Sequence, residues 1–241
     1  LYMPERSTLF ATMLAFQSGN GFAGDSDLEL LATESWHDLR DDDVSWETFL
    51  DNLDTQLSYN TSLVEQIGFS SNRDVVAAFA WNVIEPSEGE FDWDLSDATM
   101  QFSGDAGVTI SAVVQPYSSW GSPETVSSDT CYGIDFAFLN YAGGLPSDLD
   151  AYTNFLTQTV ERYDGDGEDD MPGLTTRVEA WEVSNEVEGP CSGSLSDADT
   201  YLELLKVSYA AIKDADPDAI VLNAGALEII GTDGNEISST K

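Results

Sequence analysis

RVEAWEVSNE, residues Arg177–Glu186, is a short apolar run that ends in two polar residues and is followed by Gly189-Pro190. Val, Ala, Trp and Val in this spacing favour an extended strand, and the glycine–proline pair marks the turn beyond it. Similar runs lie on either side: Asp74–Trp81 (DVVAAFAW), Val108–Gln115 (VTISAVVQ) and Ala219–Asn223 (AIVLN). Nearly continuous apolarity is what a strand covered on both faces requires. Helical spacing separates these runs. Ser147–Tyr163 carries Leu149, Tyr152, Phe155, Leu156 and Val160 on one side, and Ala198–Asp214 is the next helix. A third starts at Asp94 or Ser96, either of which suits a cap, and runs through Ala106 to a stop at Gly107. Upstream, Thr8–Phe16 reads as a first strand and Trp46–Ile67 as a helix stopped by Gly68. Five strands alternating with four helices predict a parallel α/β fold. Open sheets and eight-stranded barrels both begin this way. No repeat or low-complexity linker divides the chain, so residues 1–241 are expected to form one domain.

Composition narrows the partners. Forty-five acidic residues against eight Lys+Arg give a formal charge of −37 and a pI near 4.1. Such a field repels phosphates and anionic headgroups, so neither nucleic acid nor a membrane surface is an expected partner. With 41% hydrophobic and 11% aromatic residues the chain is no disordered polyanion. Acids dispersed along the whole chain, with scarce lysine, suit a protein that works in high salt, where screening removes self-repulsion. No apolar run reaches the length of a membrane span. The chain begins at Leu1, and Leu9–Phe16 lacks the basic flank of a signal peptide. No GxGxxG or GxxxxGK[ST] follows any strand, which weakens nucleotide binding.

The chemistry concentrates where RVEAWEVS ends. In parallel α/β folds, ligands and reactive groups gather at the C-terminal ends of strands. Period-two alternation puts Glu182, Ser184 and Glu186 on one side. Two carboxylates on one face of a buried strand must be paired or used; a solvated loop acid is the plain alternative for Glu186.

The order Trp181-Glu182-x-x-Asn185-Glu186 resembles clan A of the glycoside hydrolases, the retaining glycosidases built on (β/α)8 barrels, which include β-galactosidases, β-xylosidases and endoglycanases. Trp81-Asn-Val-Ile-Glu85-Pro86-Ser-Glu-Gly89-Glu-Phe91-Asp92-Trp93 is similar to the W-x-x-x-E-P-x-x-G-x-F-D-W block after the second strand of several of these families. Gly107–Trp120, with Pro116-Tyr117, resembles their third-strand passage, and Asp216-Pro217-Asp218 fits before the fifth. The resemblance spans roughly Val64 to Gly225 and implies a partial TIM barrel of about the first five β/α units, the N-terminal portion of a glycosidase domain.

It also implies roles. Glu186 would be the general acid/base and Asn185 would hydrogen-bond the sugar 2-hydroxyl. A retaining glycosidase needs a second carboxylate as nucleophile, about 5–5.5 Å away. In clan A that Glu ends the seventh strand, so it is expected outside this chain; Asp233 and Glu236 lie in a polar tail. Trp81, Tyr117 and Trp120 are candidates to stack on sugar rings, with core packing as the alternative, whereas Trp181 reads as a packing residue. Many clan A members carry an Arg inside the second strand; Arg73 lies eight residues before Trp81 and is left out of the site. The third-strand His of some families is absent, and the lone His37 reads as a surface or packing residue.

Two further features stand apart. Cys131 and Cys191 lack metal-type spacing and are either free thiols or one disulfide; loops after neighbouring strands would bring them together at a barrel rim. Asp164-Gly-Asp166-Gly-Glu-Asp-Asp170 puts hard oxygen ligands on a glycine-bent loop, as a structural Ca2+ requires, though a solvated charge run is the alternative. Catalysis itself needs no cofactor. The expectation is a glycoside hydrolase acting on a poly- or oligosaccharide, extracellular or at the cell surface of a halophile. A carbohydrate-binding or scaffolding protein with a degenerate barrel is the competing reading.

Overall fold

The computed structural model describes residues 71–73, 78–122, 144–225, 229–230 and 236–237. The expected strand at Thr8–Phe16, the helix at Trp46–Ile67, His37 and Cys131 lie outside the described residues.

Four parallel strands form one sheet in chain order: β1 Ser71–Arg73, β2 Thr109–Val114, β3 Val178–Val183 and β4 Ile220–Asn223. Helices fill the crossovers: α1 Trp81–Ile84 and α2 Asp94–Asp105 before β2, α3 Leu149–Tyr163 before β3, and α4 Ala198–Ala215 before β4. A 3-10 segment, Pro190–Ser196, leads from β3 to α4. The parallel α/β class is therefore as the alternation implied. Register fixes what meets at the strand ends: Val114 lies opposite Val183, and Val183 opposite Asn223.

Caps and polarity explain the long helices. The Asp148 carboxylate accepts from Ala151 N at 2.9 Å at the start of α3, and Asp197 accepts from Thr200 N at 3.0 Å at the start of α4. For α2 neither Asp94 nor Ser96 is the cap. Trp93 holds the cap position, and the Asp92 carboxylate accepts from Asp94 N instead. Gly107, at φ +65°, then releases the chain into β2.

The strand expected at Asp74–Trp81 differs from the reading of the sequence. Pairing begins at Ser71, and the chain touches β2 again through an Ala80–Gln115 bridge. Trp81 then opens a helical turn. Trp81 and Ile84 are fully buried, and a buried helical turn shows the same unbroken apolarity as a buried strand.

The core joins α3 to the strands. Phe79 meets Tyr163 and Trp181 edge-on, with ring centres 5.6 and 5.8 Å apart. Trp81 lies among Trp120, Tyr152 and Phe155, at 5.0, 5.3 and 5.9 Å. β4 is one of the two edge strands of the described sheet, with Ile220 and Leu222 exposed. Beyond it, Ile229–Ile230 pairs antiparallel with Glu236–Ile237, so Glu236 sits in a short strand rather than a polar tail. No helix of the described residues is long and apolar enough to cross a membrane.

Candidate active site

The site grows from the end of β3. Ser184 N still donates to Val114 O at 2.8 Å, after which the backbone bends sharply. Ser184 and Glu186 both have left-handed backbones, at φ 66° and 46°. Among the described residues only Asp169 shares that conformation without being glycine. Such residues cost about 1–3 kcal/mol each and gather where function constrains the chain. The two bends bracket Asn185 and break the alternation expected to carry Glu182, Ser184 and Glu186 along one side.

The strained turn is tied down on several sides. Glu186 N donates to Gly225 O at 2.9 Å, and Glu186 O accepts from Gly189 N at 3.0 Å and from Ser192 Oγ at 3.2 Å. Glu182 is buried, and Arg73 grips it with one edge of its guanidinium: Nε to Oε2 at 2.6 Å and Nη2 to Oε1 at 2.7 Å. The same Nη2 reaches Asn185 Oδ1 at 2.8 Å. Gly225 N donates to Glu182 Oε1 at 2.7 Å. Tyr201, from α4, donates to Val183 O at 3.0 Å and accepts from Ala224 N at 2.7 Å, clipping the ends of β3 and β4 together. Burial pushes the Tyr201 phenol up, and the Glu182 charge adds to this.

Arg73 thus belongs with Asn185, although its distance from Trp81 in sequence had left it out. The strand starts earlier than the apolar run, which puts Arg73 within β1. One signal was available: a carboxylate on a buried strand needs a cation, and the whole chain offers only eight Lys+Arg.

Glu186 is exposed, Asn185 half-buried. Trp81 and Tyr117 are buried, with 0% and 1% of their surface exposed, and so present no face to a sugar ring. This corrects the expectation that they would line one cleft with Glu186. Trp120 is half-buried, edge-on to Trp81. The conspicuous Trp81–Trp93 block is a braced loop. Glu85, itself buried, accepts from Trp81 Nε1 and from Gly89 N, both at 2.7 Å, while its carbonyl accepts from Trp120 Nε1 at 2.9 Å. Gly89, at φ +76°, makes the turn. Phe91 stacks on Trp93, and the Arg162 guanidinium lies over Trp93 while bridging Asp97.

Comparison with known proteins finds likenesses over part of the chain. Residues 54–114 match the model of glycoside hydrolase family 42, described as beta-galactosidase; the match ends at Val114, before the Asn185–Glu186 turn. The likeness is to the clan A glycoside hydrolases. A glucosidase from Croceicoccus marinus aligns over 71% of this chain and 34% of its own, at 13% identity and a TM-score of 0.50, a likeness of fold. A family 39 glycoside hydrolase from Bacteroides cellulosilyticus WH2 covers 71% of this chain and 30% of its own, at 21% identity and TM-score 0.46. A beta-galactosidase from the psychrophilic Marinomonas ef1 covers 70% and 35%, at 12% identity and TM-score 0.45. This chain therefore spans about a third of each of these glycosidases. The search of curated proteins found no match.

The acidic loop after α3 brings carboxylate oxygens of Asp164, Asp166 and Asp170 within 4.8 Å of one another. Burial, then the charges of Asp166, Asp170 and Glu161, push the Asp164 carboxyl up to about 6, against the lowering effect of the Asp166 amide. Each carboxylate also serves the loop's backbone: Asp164 accepts from Asp166 N, Asp166 from Glu168 N, and Asp170 from Gly165 N and Gly167 N. The expected Cys131–Cys191 bond lies outside the described residues, because Cys131 and the Cys191 side chain are not among them.

Proposed function

We propose that this chain is the N-terminal portion, about five β/α units, of a (β/α)8-barrel glycosidase that cleaves O-glycosidic bonds of an oligo- or polysaccharide with retention. The observation that supports this reading best is the strained Ser184–Glu186 turn at the end of β3, with Arg73 bound to Asn185. Strand-end carboxylates and amides are what acid–base cleavage of a glycoside uses. In this reading Glu186 protonates the leaving oxygen and then activates water, and Asn185 holds the sugar hydroxyl beside the cleaved bond. The nucleophilic carboxylate comes from outside the chain. Trp120 is the aromatic residue of the sequence-based set that keeps some exposed surface for a sugar.

The test is a pair of assays on aryl β-glycosides. The 241-residue chain alone should release no phenol, whereas a polypeptide extended by the remaining barrel strands should do so with retained anomeric configuration, followed by NMR. Inversion, or hydrolysis by the short chain at the full rate, would overturn the assignment. Sugar binding by the extended protein with no hydrolysis would favour the degenerate binding barrel.

The charge of −37 supports a protein that works in high salt, outside the cell or at its surface. The Debye length shrinks from about 10 Å at 0.1 M salt to about 3 Å at 1 M, so self-repulsion fades over that range. Thermal unfolding in 0.1, 1 and 3 M KCl should show Tm rising by ten degrees or more, on the order of a few kcal/mol of relieved repulsion. A flat or falling Tm would exclude salt adaptation. Asp164, Asp166 and Asp170 are the proposed ligands of a structural Ca2+. Millimolar CaCl2 should then raise Tm by several degrees over EDTA, and Asp170→Asn should remove the increment. Equal Tm in Ca2+ and EDTA would leave the loop as a self-capped acidic turn.

A further inference from the structure

We propose that Glu182 is the positioning residue of the Asn185–Glu186 turn, gathering Arg73 from β1 and Gly225 from beyond β4 and through them fixing both functional groups. The inference rests on the roles given above to Asn185 and Glu186, and adds a residue that neither protonates nor touches the sugar.

One carboxylate serves two routes. The first runs through side chains: Glu182 holds Arg73 at 2.6 and 2.7 Å, and Arg73 Nη2 holds Asn185 Oδ1 at 2.8 Å. A planar guanidinium held by two parallel hydrogen bonds along one edge is fixed in orientation, so the second bond from its Nη2 is aimed. Because Arg73 donates, the oxygen of the Asn185 amide is the end held, and its NH2 is the end left to donate to a substrate hydroxyl. The second route runs through the main chain: Glu182 Oε1 accepts from Gly225 N at 2.7 Å, and Gly225 O accepts from Glu186 N at 2.9 Å. A Cβ on Gly225 would stand 3.3 Å from Glu182 Oε1 and 3.8 Å from Arg73 Nη2, so the approach needs glycine or a small shift. The left-handed Glu186 backbone thus leans on a glycine that Glu182 itself holds. An ion pair that only joined β1 to β3 would include neither Asn185 nor Gly225.

Glu182→Gln keeps the size and one accepting oxygen while removing the charge. In the extended, active polypeptide it should lower kcat by about 100-fold, the scale of an ångström of misplacement, with KM within about threefold. An unchanged kcat, whatever happens to Tm, would reduce Glu182 to a structural role. Should Glu182→Gln fail to fold, Arg73→Lys, which keeps the charge but loses the fork, should give the same split between kcat and KM; equal losses in both would overturn the proposal. A readout independent of activity comes from 15N NMR of the unmodified 241-residue chain. Arg73 Nε–H should exchange slowly with water, and the Asn185 amide protons should remain two resolved, protected signals. Rapid exchange at both would refute the geometry. Full activity in Glu186→Gln would instead overturn the underlying assignment, and the NMR result would still judge Glu182.

Discussion

Replacing Glu186 by Gln should lower turnover of glycosides with poor leaving groups by about 10²–10⁴-fold in the extended enzyme, the usual contribution of a general acid. Binding of the sugar should change little, because the amide is isosteric and the contacts of Glu186 with Gly225, Gly189 and Ser192 run through its backbone. Glycosides with nitrophenolate leaving groups should suffer less in the first step, since they depart without protonation. The side chain is exposed, and its left-handed backbone is anchored at both peptide groups. Steady-state rates on alkyl and nitrophenyl glycosides, beside binding measured by calorimetry, give the comparison. Full activity on alkyl glycosides would end the acid/base assignment.

The largest stability effect should follow Trp81→Ala, at about 3–5 kcal/mol, the range for a buried aromatic reduced to a methyl. The ring touches Trp120, Tyr152 and Phe155, and no room exists for a Cβ on Gly121 against it. Removing the indole also takes away the Nε1 donor to Glu85 and leaves a buried carboxylate short of a partner. Natural domains hold about 5–15 kcal/mol in total, so most of the margin would vanish. Urea unfolding in molar salt, where self-repulsion is screened, gives the figure. A loss under about 1 kcal/mol would mean that the ring faces a cavity or a ligand instead of packing.

These two tryptophan and glutamate positions also mark the limits of reading the sequence. The parallel strands from Val108, Arg177 and Ala219 and the helices from Ser147 and Ala198 were legible, because periodicity and apolar runs are local signals. The Asn185–Glu186 turn at a strand end was legible for the same reason. What stayed hidden depends on distance in sequence. Arg73 and Glu182 lie 109 residues apart, and only register brings them together. Trp81 looked like a strand-end platform because a buried helical turn and a buried strand are equally apolar. The Trp81–Trp93 block carried a family signal without revealing its use. Its Glu is spent on an indole and a tight glycine turn, an economy of hydrogen bonds that composition cannot display.

The exposed edge of β4 sets a condition on handling this protein. Ile220 and Leu222 present an apolar strip, with 51% and 40% of their surface open, on an edge strand of the described sheet. Such edges recruit other strands unless something opposes it, and lysines, the usual guards, are scarce here. Mutual repulsion between copies, each carrying −37, does that work instead. Salt therefore acts in two directions: it relaxes the strain of like charges within one molecule while lowering the barrier that keeps two molecules apart. If the proposed adaptation to salt holds, the solution window for this chain is expected to be bounded below by unfolding and above by edge-to-edge association, with both boundaries set by the same ions.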